Sequence, residues 1–316
     1  YELLKDQIKI FRLVSKRTGI IINSPMIWYT PILPLIALKS FHFSYYVAND
    51  HVTLAHFLSH QRGVINHVKA ILTKCFGIIG LRMCDSILVR GDASRYSQFK
   101  KKVYTSFPII SLSSNHSFRQ DTCQNATITL LYVGGLYKRK RLMSLLQTFK
   151  LLIKEERSFK KKFSLRIVGY GQEYHKLKRA VTELGISDKV FFIGWIDDPV
   201  QLAKEYLNAD IFILPSVLTE GFPRVIQEAM YYGLPVITFN QNYPKFLKHK
   251  ENIIFINPEK DNEFKIAILE LITNRKLRKR IINNSQIIMK KIVKSPAIQH
   301  TKIIKAGLRK NKLHEV

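Results

Sequence analysis

Short apolar runs alternate along this chain with longer stretches of helical period, and that alternation is its main structural signal. In the second half the runs are Ile128 to Val133, Phe163 to Val168, Val190 to Ile193, Asp210 to Leu214, Val236 to Thr238 and Ile253 to Ile256. They are nearly continuous in Val, Ile, Leu and Phe instead of alternating, as strands covered on both faces read. A Gly134-Gly135 turn leads into a helix from about Met143 to Glu155, and a Gly169-Tyr170-Gly171 turn into one that ends near Leu184. Gln227 to Tyr232 reads as a short helix, and further helices come after residue 262. Six strands, each followed by a helix or a glycine turn, predict a doubly wound parallel domain of the α/β class.

The first half repeats the alternation. A basic amphipathic helix at residues 2–17 precedes a strand from Gly19 to Asn23. A Pro25 turn, a helix from Ile32 to Lys39 and a strand from Phe43 to Ala48 come next, the strand ending in Asn49-Asp50-His51. A helix from about Val64 to Cys84 and a strand from Asp85 to Val89 complete the pattern. Residues 106–126 are rich in Ser, Asn and Pro without a period, which marks a linker. The expected organisation is therefore a Rossmann-like domain over 1–120, a second over 121–290 and a basic C-terminal tail or helix over 291–316. The two domains would face each other across a cleft.

Charge changes the picture more than size does. Lysine and arginine number 51 against 23 acids, a formal net charge of +28 over 316 residues. Such an excess favours an anionic surface, either nucleic acid or the face of a membrane. The chain has no helix-turn-helix signature, no paired Cys/His zinc spacing and no basic-glycine-aromatic strand. The expected partner is thus an anionic membrane surface and not nucleic acid. The three cysteines, Cys75, Cys84 and Cys123, are far apart in sequence and read as reduced cytoplasmic thiols. The most apolar run, Ile20 to Leu38, is broken by Asn23, Pro25, Pro31 and Pro34, so no spanning helix is expected. The expected location is cytoplasmic, peripherally held at the inner face of the membrane.

Candidate chemistry concentrates at Thr219-Glu220-Gly221-Phe222-Pro223-Arg224-Val225-Ile226-Gln227-Glu228-Ala229, where two acids stand eight apart as a loop becomes a helix. The loop leaves the strand ending at Pro215-Ser216, so Glu220 falls at the carboxyl end of a strand and Glu228 one to two turns into the helix behind it. At that edge of a parallel sheet, loops and helix starts converge with unpaired backbone N–H groups. A helix start holds an anion, and carboxylates accept bonds from sugar hydroxyls; a nucleotide sugar has both. The plainer reading is that Glu220 complements the helix dipole and Glu228 lies on a solvated face.

In order, the pieces of the second half resemble the retaining glycosyltransferase family 4 of the two-domain GT-B fold over roughly residues 128–290. The resemblance is carried by Tyr132-Val133-Gly134-Gly135-Leu136 through Lys140, by Ile167-Val168-Gly169-Tyr170-Gly171, and by Val190-Phe191-Phe192-Ile193-Gly194-Trp195. It continues through Ala209 to Ser216, the Glu220 to Glu228 pair and Gly233-Leu234-Pro235-Val236-Ile237. What the resemblance implies is a metal-independent enzyme with no cofactor. It would move a sugar from a UDP- or GDP-sugar, with retention, to a lipid-linked or polysaccharide acceptor.

The same resemblance assigns roles. Glu220 would touch the transferred sugar and Lys140 the donor diphosphate, with Glu228 accepting both ribose hydroxyls. The backbone of Gly221, Phe222, Pro223 and Arg224 would line sugar and phosphates, and Gly194, Trp195 and Ile196 would frame the base, with Trp195 alternatively core. Gly134 and Gly135 form the donor loop. The family has an arginine where this chain has Gly135, and Lys138, Arg139 or Arg141 could supply the charge from the same loop. In the first domain His51 is the candidate catalytic histidine, with a turn role for Asn49-Asp50 as the alternative. This acceptor-side domain would be incomplete at its start, because it opens on a helix and lacks a strand and glycine-rich loop. A non-catalytic sugar-nucleotide or polyanion-binding module descended from such an enzyme is the alternative function.

Overall fold

A computed structural model of the protein describes residues 19–24, 42–47, 86–89, 102–105, 119–217, 222–241, 243–257 and 262–293, with scattered positions between 71 and 98. Two wholly parallel sheets carry the fold. The first contains β1 (Gly19–Ser24), β2 (His42–Val47), β3 (Ser86–Val89) and β4 (Lys102–Thr105) in that order. β4 stands outside the expected pattern, because Lys-Val-Tyr-Thr mixes polar with apolar positions inside a lysine-rich stretch and does not read as an apolar run. Ile71, Cys75, Ile78, Ile79, Leu81, Arg82 and Met83 are helical, in line with a helix ahead of β3. The expected helices at 2–17 and 32–39 lie outside the described residues, as does the tail beyond 293.

The second sheet contains β5 (Thr127–Val133), β6 (Lys162–Val168), β7 (Val190–Gly194), β8 (Ile211–Leu214), β9 (Val236–Phe239) and β10 (Ile254–Ile256). Their spatial order is β10-β9-β8-β5-β6-β7, every pair parallel. From β5 the chain steps outward to β7, then returns to β8 on the other side and steps outward again. The reversal lies between β5 and β8, and it opens a crevice at their carboxyl ends. β8 and β9 are buried at every position, which explains their uninterrupted apolar sequence.

The covering helices are α1 (Leu142–Ile153), α2 (Glu156–Phe159), α3 (Tyr174–Glu183), α4 (Pro199–Asn208), α5 (Arg224–Tyr231), α6 (Glu263–Thr273) and α7 (Arg275–Val293). α1 packs against α3 and α6, and α7 packs against α5. α4 is absent from the sequence-based expectations, although Asp198 caps it by accepting from Val200 N–H and Pro199 sits at its first position. Among the described residues no helix is long and apolar enough to cross a membrane.

The strand that enters this sheet is anchored by buried acids. Asp210 accepts from Cys123 N–H at 2.7 Å and Thr129 N–H at 2.9 Å. Asp121 accepts from Arg278 Nε at 2.7 Å and Arg275 Nε at 2.9 Å, tying the segment to α7. Burial pushes the Asp121 carboxyl up, but its bonds from Arg278, Arg275, Thr122 N–H and Gln124 outweigh that and hold it at about 2.

Candidate functional site

Three loops interlock at the carboxyl edge on the β5–β7 side. Gly134 N–H donates to Val168 O at 3.0 Å, Leu136 N–H to Tyr170 O at 3.1 Å, Glu173 N–H to Leu136 O at 2.9 Å and Gly169 N–H to Gly194 O at 2.7 Å. Gly169 has φ +129, and a Cβ on it would lie 2.1 Å from Gly134 O. A Cβ on Gly171 would lie 2.6 Å from Leu136 O. These glycines are therefore required for the loops to pass each other. Gly134, expected to meet the donor, already gives its N–H to the neighbouring strand.

Gly135 is bound through its carbonyl, which accepts from Tyr132 Oη at 2.9 Å. A Cβ there would meet the Tyr137 ring at 2.4 Å, so Tyr137 fills the space in which an arginine side chain would begin. The next cations along the chain form one 3₁₀ turn, Lys138–Lys140, closed by Arg141 in the left-handed region. Lys140 is buried while Lys138 and Arg141 are exposed. Arg139 lies over the Tyr137 ring at 5.7 Å and Arg141 over the Phe239 ring at 5.8 Å. Val217 N–H donates to Arg139 O at 3.1 Å, so the cationic turn is fastened to the chain leaving β8 across the crevice.

Behind that crevice α5 begins at Arg224, after Pro223, with no acid in its first turn. The start of the helix and the Arg224 guanidinium together make this end electropositive. Phe222 is fully buried and packs edge-on against Phe246 at 5.6 Å. Phe222 thus anchors the loop, and its side chain belongs to the core and not to a ligand surface. Glu228 is half-buried in the second turn, and Tyr206 of α4 donates its hydroxyl to Oε2 at 2.8 Å. Tyr206 is fully buried and stacks on Tyr232 at 5.5 Å. Burial pushes the Glu228 carboxyl up, and the Tyr206 hydroxyl and Arg224 charge pull it partly back. The solvated-face reading of Glu228 is overturned: the side chain is held by a buried phenol from a neighbouring helix.

After β7, Gly194 has φ +84 and uses its carbonyl on Gly169. Trp195 is 69% exposed, with its indole N–H on Asp197 Oδ1 at 2.5 Å, which overturns the core reading of this residue. β7 is the edge strand, so among the described residues no further strand covers the chain as it leaves the sheet at Trp195. Ile196 is half-buried against the core. Glu220, Gly221 and His51 lie outside the described residues. The sequence expectations omit Tyr206, and the Asp198-Pro199 helix start was the signal that could have placed it beside α5.

The model of the glycosyl transferases group 1 family matches residues 115–287, more than half of the chain. The chain belongs to this family. It is 29% identical over 213 residues to an uncharacterized glycosyltransferase of Haemophilus influenzae, covering 66% of this chain and 58% of that one. It is 34% identical over 76 residues to the lipopolysaccharide 1,6-galactosyltransferase of Salmonella typhimurium, covering 24% and 21%. The chain thus spans less than two thirds of these curated relatives. The crystal structure of Anabaena HepE in complex with UDP superposes with a TM-score of 0.65 at 16% identity, covering 96% of this chain and 82% of that one. That likeness is one of fold, and it confirms the two-unit GT-B architecture.

In this group 1 glycosyltransferase chain the family match takes in every strand of the second sheet, the cationic turn and α5. One edge therefore carries a buried lysine, an electropositive helix start and a half-buried acid. Such a set can neutralise a diphosphate and accept hydroxyls at once.

Proposed function

We propose that this chain transfers a sugar from a nucleotide-diphosphate sugar, a UDP- or GDP-sugar, to a lipid-linked or polysaccharide acceptor, with retention and without a metal. The observation that carries the reading is the fastening of the Lys138–Lys140 turn to the β8 exit, the same chain that leads on to α5 and Glu228. Cleaving a sugar–phosphate bond builds negative charge on the leaving diphosphate and oxocarbenium character on the sugar. In this reading Lys140 and the α5 start with Arg224 stabilise the first in place of a divalent cation. Glu228, with Oε2 on Tyr206, receives the ribose hydroxyls. Glu220, by its place in the motif, is assigned to the transferred sugar, and the incoming acceptor attacks the face that the diphosphate leaves. His51 serves on the acceptor side.

The relatives support the acceptor class, since the Salmonella protein is a lipopolysaccharide 1,6-galactosyltransferase. The net charge of +28 supports work at the inner face of an anionic membrane, at about 1 kcal/mol per basic residue close to the surface. Tyr137 in the space beside Gly135 favours a second reading, a module that binds the sugar nucleotide without turning it over. Incubating the chain with UDP- and GDP-sugars and a membrane lipid extract separates the two. Transfer or slow hydrolysis, lost in Glu220→Ala, supports the enzyme. Donor binding without turnover supports the module, and no binding contradicts both.

A further inference from the structure

Helix α7 carries seven lysines and arginines and no acid. Leu277, Ile281, Ile282 and Met289 form its buried side, and Arg278, also buried, gives its charge to Asp121. Lys276, Lys279, Arg280, Lys290 and Lys291 are exposed. At about 100° per residue these five fall, with Asn283 and Ile287, within roughly one third of the helix circumference. Cations thus stand at both ends of one face.

The helix runs past the amino ends of the strands, away from the candidate nucleotide site. Arg280 Nε donates to Lys250 O at 3.1 Å and Asn284 Nδ2 to Glu251 O at 2.9 Å, both just ahead of β10. A Cβ on Gly233, just ahead of β9, would lie 2.4 Å from Gln286 Nε2 and 2.9 Å from Arg119 Cβ. Arg119 in turn donates from Nη1 to Ala209 O at 2.5 Å, just ahead of β8. The basic face therefore caps the amino edge of the second sheet, and anything held there leaves the carboxyl edge open.

A cavity of about 320 Å³ opens where this face meets the entry segment. Arg119, Lys279 and Lys290 line it together with Gln120, Asn283 and Gln286, and among the described residues no carboxylate does. Three cations among amide N–H donors fit a phosphate, which brings negative charge and acceptor oxygens. The surroundings select its source. Ile287, on the same wall, is 43% exposed, and α7 holds no aromatic residue. The face thus offers apolar contact to acyl chains and no stacking platform to bases. We propose that the exposed face of α7 docks this chain on an anionic lipid bilayer, with a lipid phosphate in the cavity between Arg119, Lys279 and Lys290. This rests on the membrane reading above and gives that reading a surface.

Vesicle sedimentation tests this on the whole chain, with phosphatidylcholine alone and with phosphatidylcholine mixed with phosphatidylglycerol, at low and high salt. The parent is compared with Lys279→Gln/Lys290→Gln and with Lys154→Gln/Lys204→Gln, a remote pair of exposed lysines that lowers the net charge equally. The parent is expected to bind the mixed vesicles only, and less at high salt. The cavity pair should weaken that binding about tenfold or more and the remote pair by under about threefold. Ile287→Ser, which leaves every charge in place and tests the face without touching the cavity's cations, should weaken it about threefold. Equal weakening by the two pairs, full binding by the cavity pair, or full binding by Ile287→Ser overturns the docking face and leaves the membrane reading standing. A parent that binds no mixed vesicles overturns both. A cavity pair that loses binding to duplex DNA while keeping vesicle binding assigns the face to nucleic acid and equally overturns the proposal.

Discussion

On the β5–β7 side of the carboxyl edge each loop gives its backbone groups to the next, whereas on the β8–β9 side a serine hydroxyl and two glutamine oxygens are buried without partners. Both sides belong to the same sheet, so the contrast is not one of burial. One side is complete in itself and acts as a frame. The other keeps buried polar atoms unpaired, and the cationic turn joins them through the Val217–Arg139 bond.

The largest expected effect comes from breaking the frame. Gly169→Ala places a methyl 2.1 Å from Gly134 O at φ +129. It is expected to cost about 3 kcal/mol or more in urea unfolding and to weaken UDP and UDP-sugar alike. Ser216→Ala on the other flank should do the opposite and keep or raise the Tm, because it deletes a buried hydroxyl that has no partner.

The entry segment supplies a control remote from both flanks. Asp121, held at about 2, contributes roughly 2–3 kcal/mol at neutral pH. Its folded value is depressed, so that stability is full above the ordinary carboxylate value near 4 and is lost as pH falls towards 2. Urea midpoints measured from pH 6 down to 2 should show the loss, and Asp121→Asn should flatten it without changing nucleotide selectivity.

The smallest effect sharpens the comparison at Glu228. Its folded value is raised, so the folded state holds the proton more tightly and the parent loses stability as pH climbs from the ordinary value to the raised one. Glu228→Gln, which keeps an acceptor for Tyr206, is expected to be more stable than the parent above that window by under about 1 kcal/mol. It should bind nucleotide more weakly. A variant less stable than the parent at pH 7 would contradict the assignment.

Most of the second sheet was legible because buried parallel strands advertise themselves as apolar runs, and glycine turns mark their carboxyl ends. β4 escaped because Lys-Val-Tyr-Thr mixes polar with apolar positions inside a lysine-rich stretch, unlike the equally short apolar β8, and α4 because Val200, Leu202, Ala203 and Tyr206 are interleaved with polar positions. The site was legible as a set of positions and less so as contacts. Sequence placed Glu228 and Lys140 at the edge, yet it could not show that Tyr206 grips Glu228 or that Tyr137 stands beside Gly135. The core alternative for Trp195 fails because its exposure results from β7 being the sheet's edge, which is a property of strand order and not of local sequence.

The central claim, that the carboxyl edge of the second sheet is a nucleotide-sugar site, is tested most directly by titrating UDP and GDP into the parent, Lys140→Ala and Glu228→Ala. Saturable one-to-one binding by the parent, weakened about tenfold to a hundredfold in each variant, is the expected result. Binding that neither substitution alters, or none by the parent up to millimolar nucleotide, would contradict it.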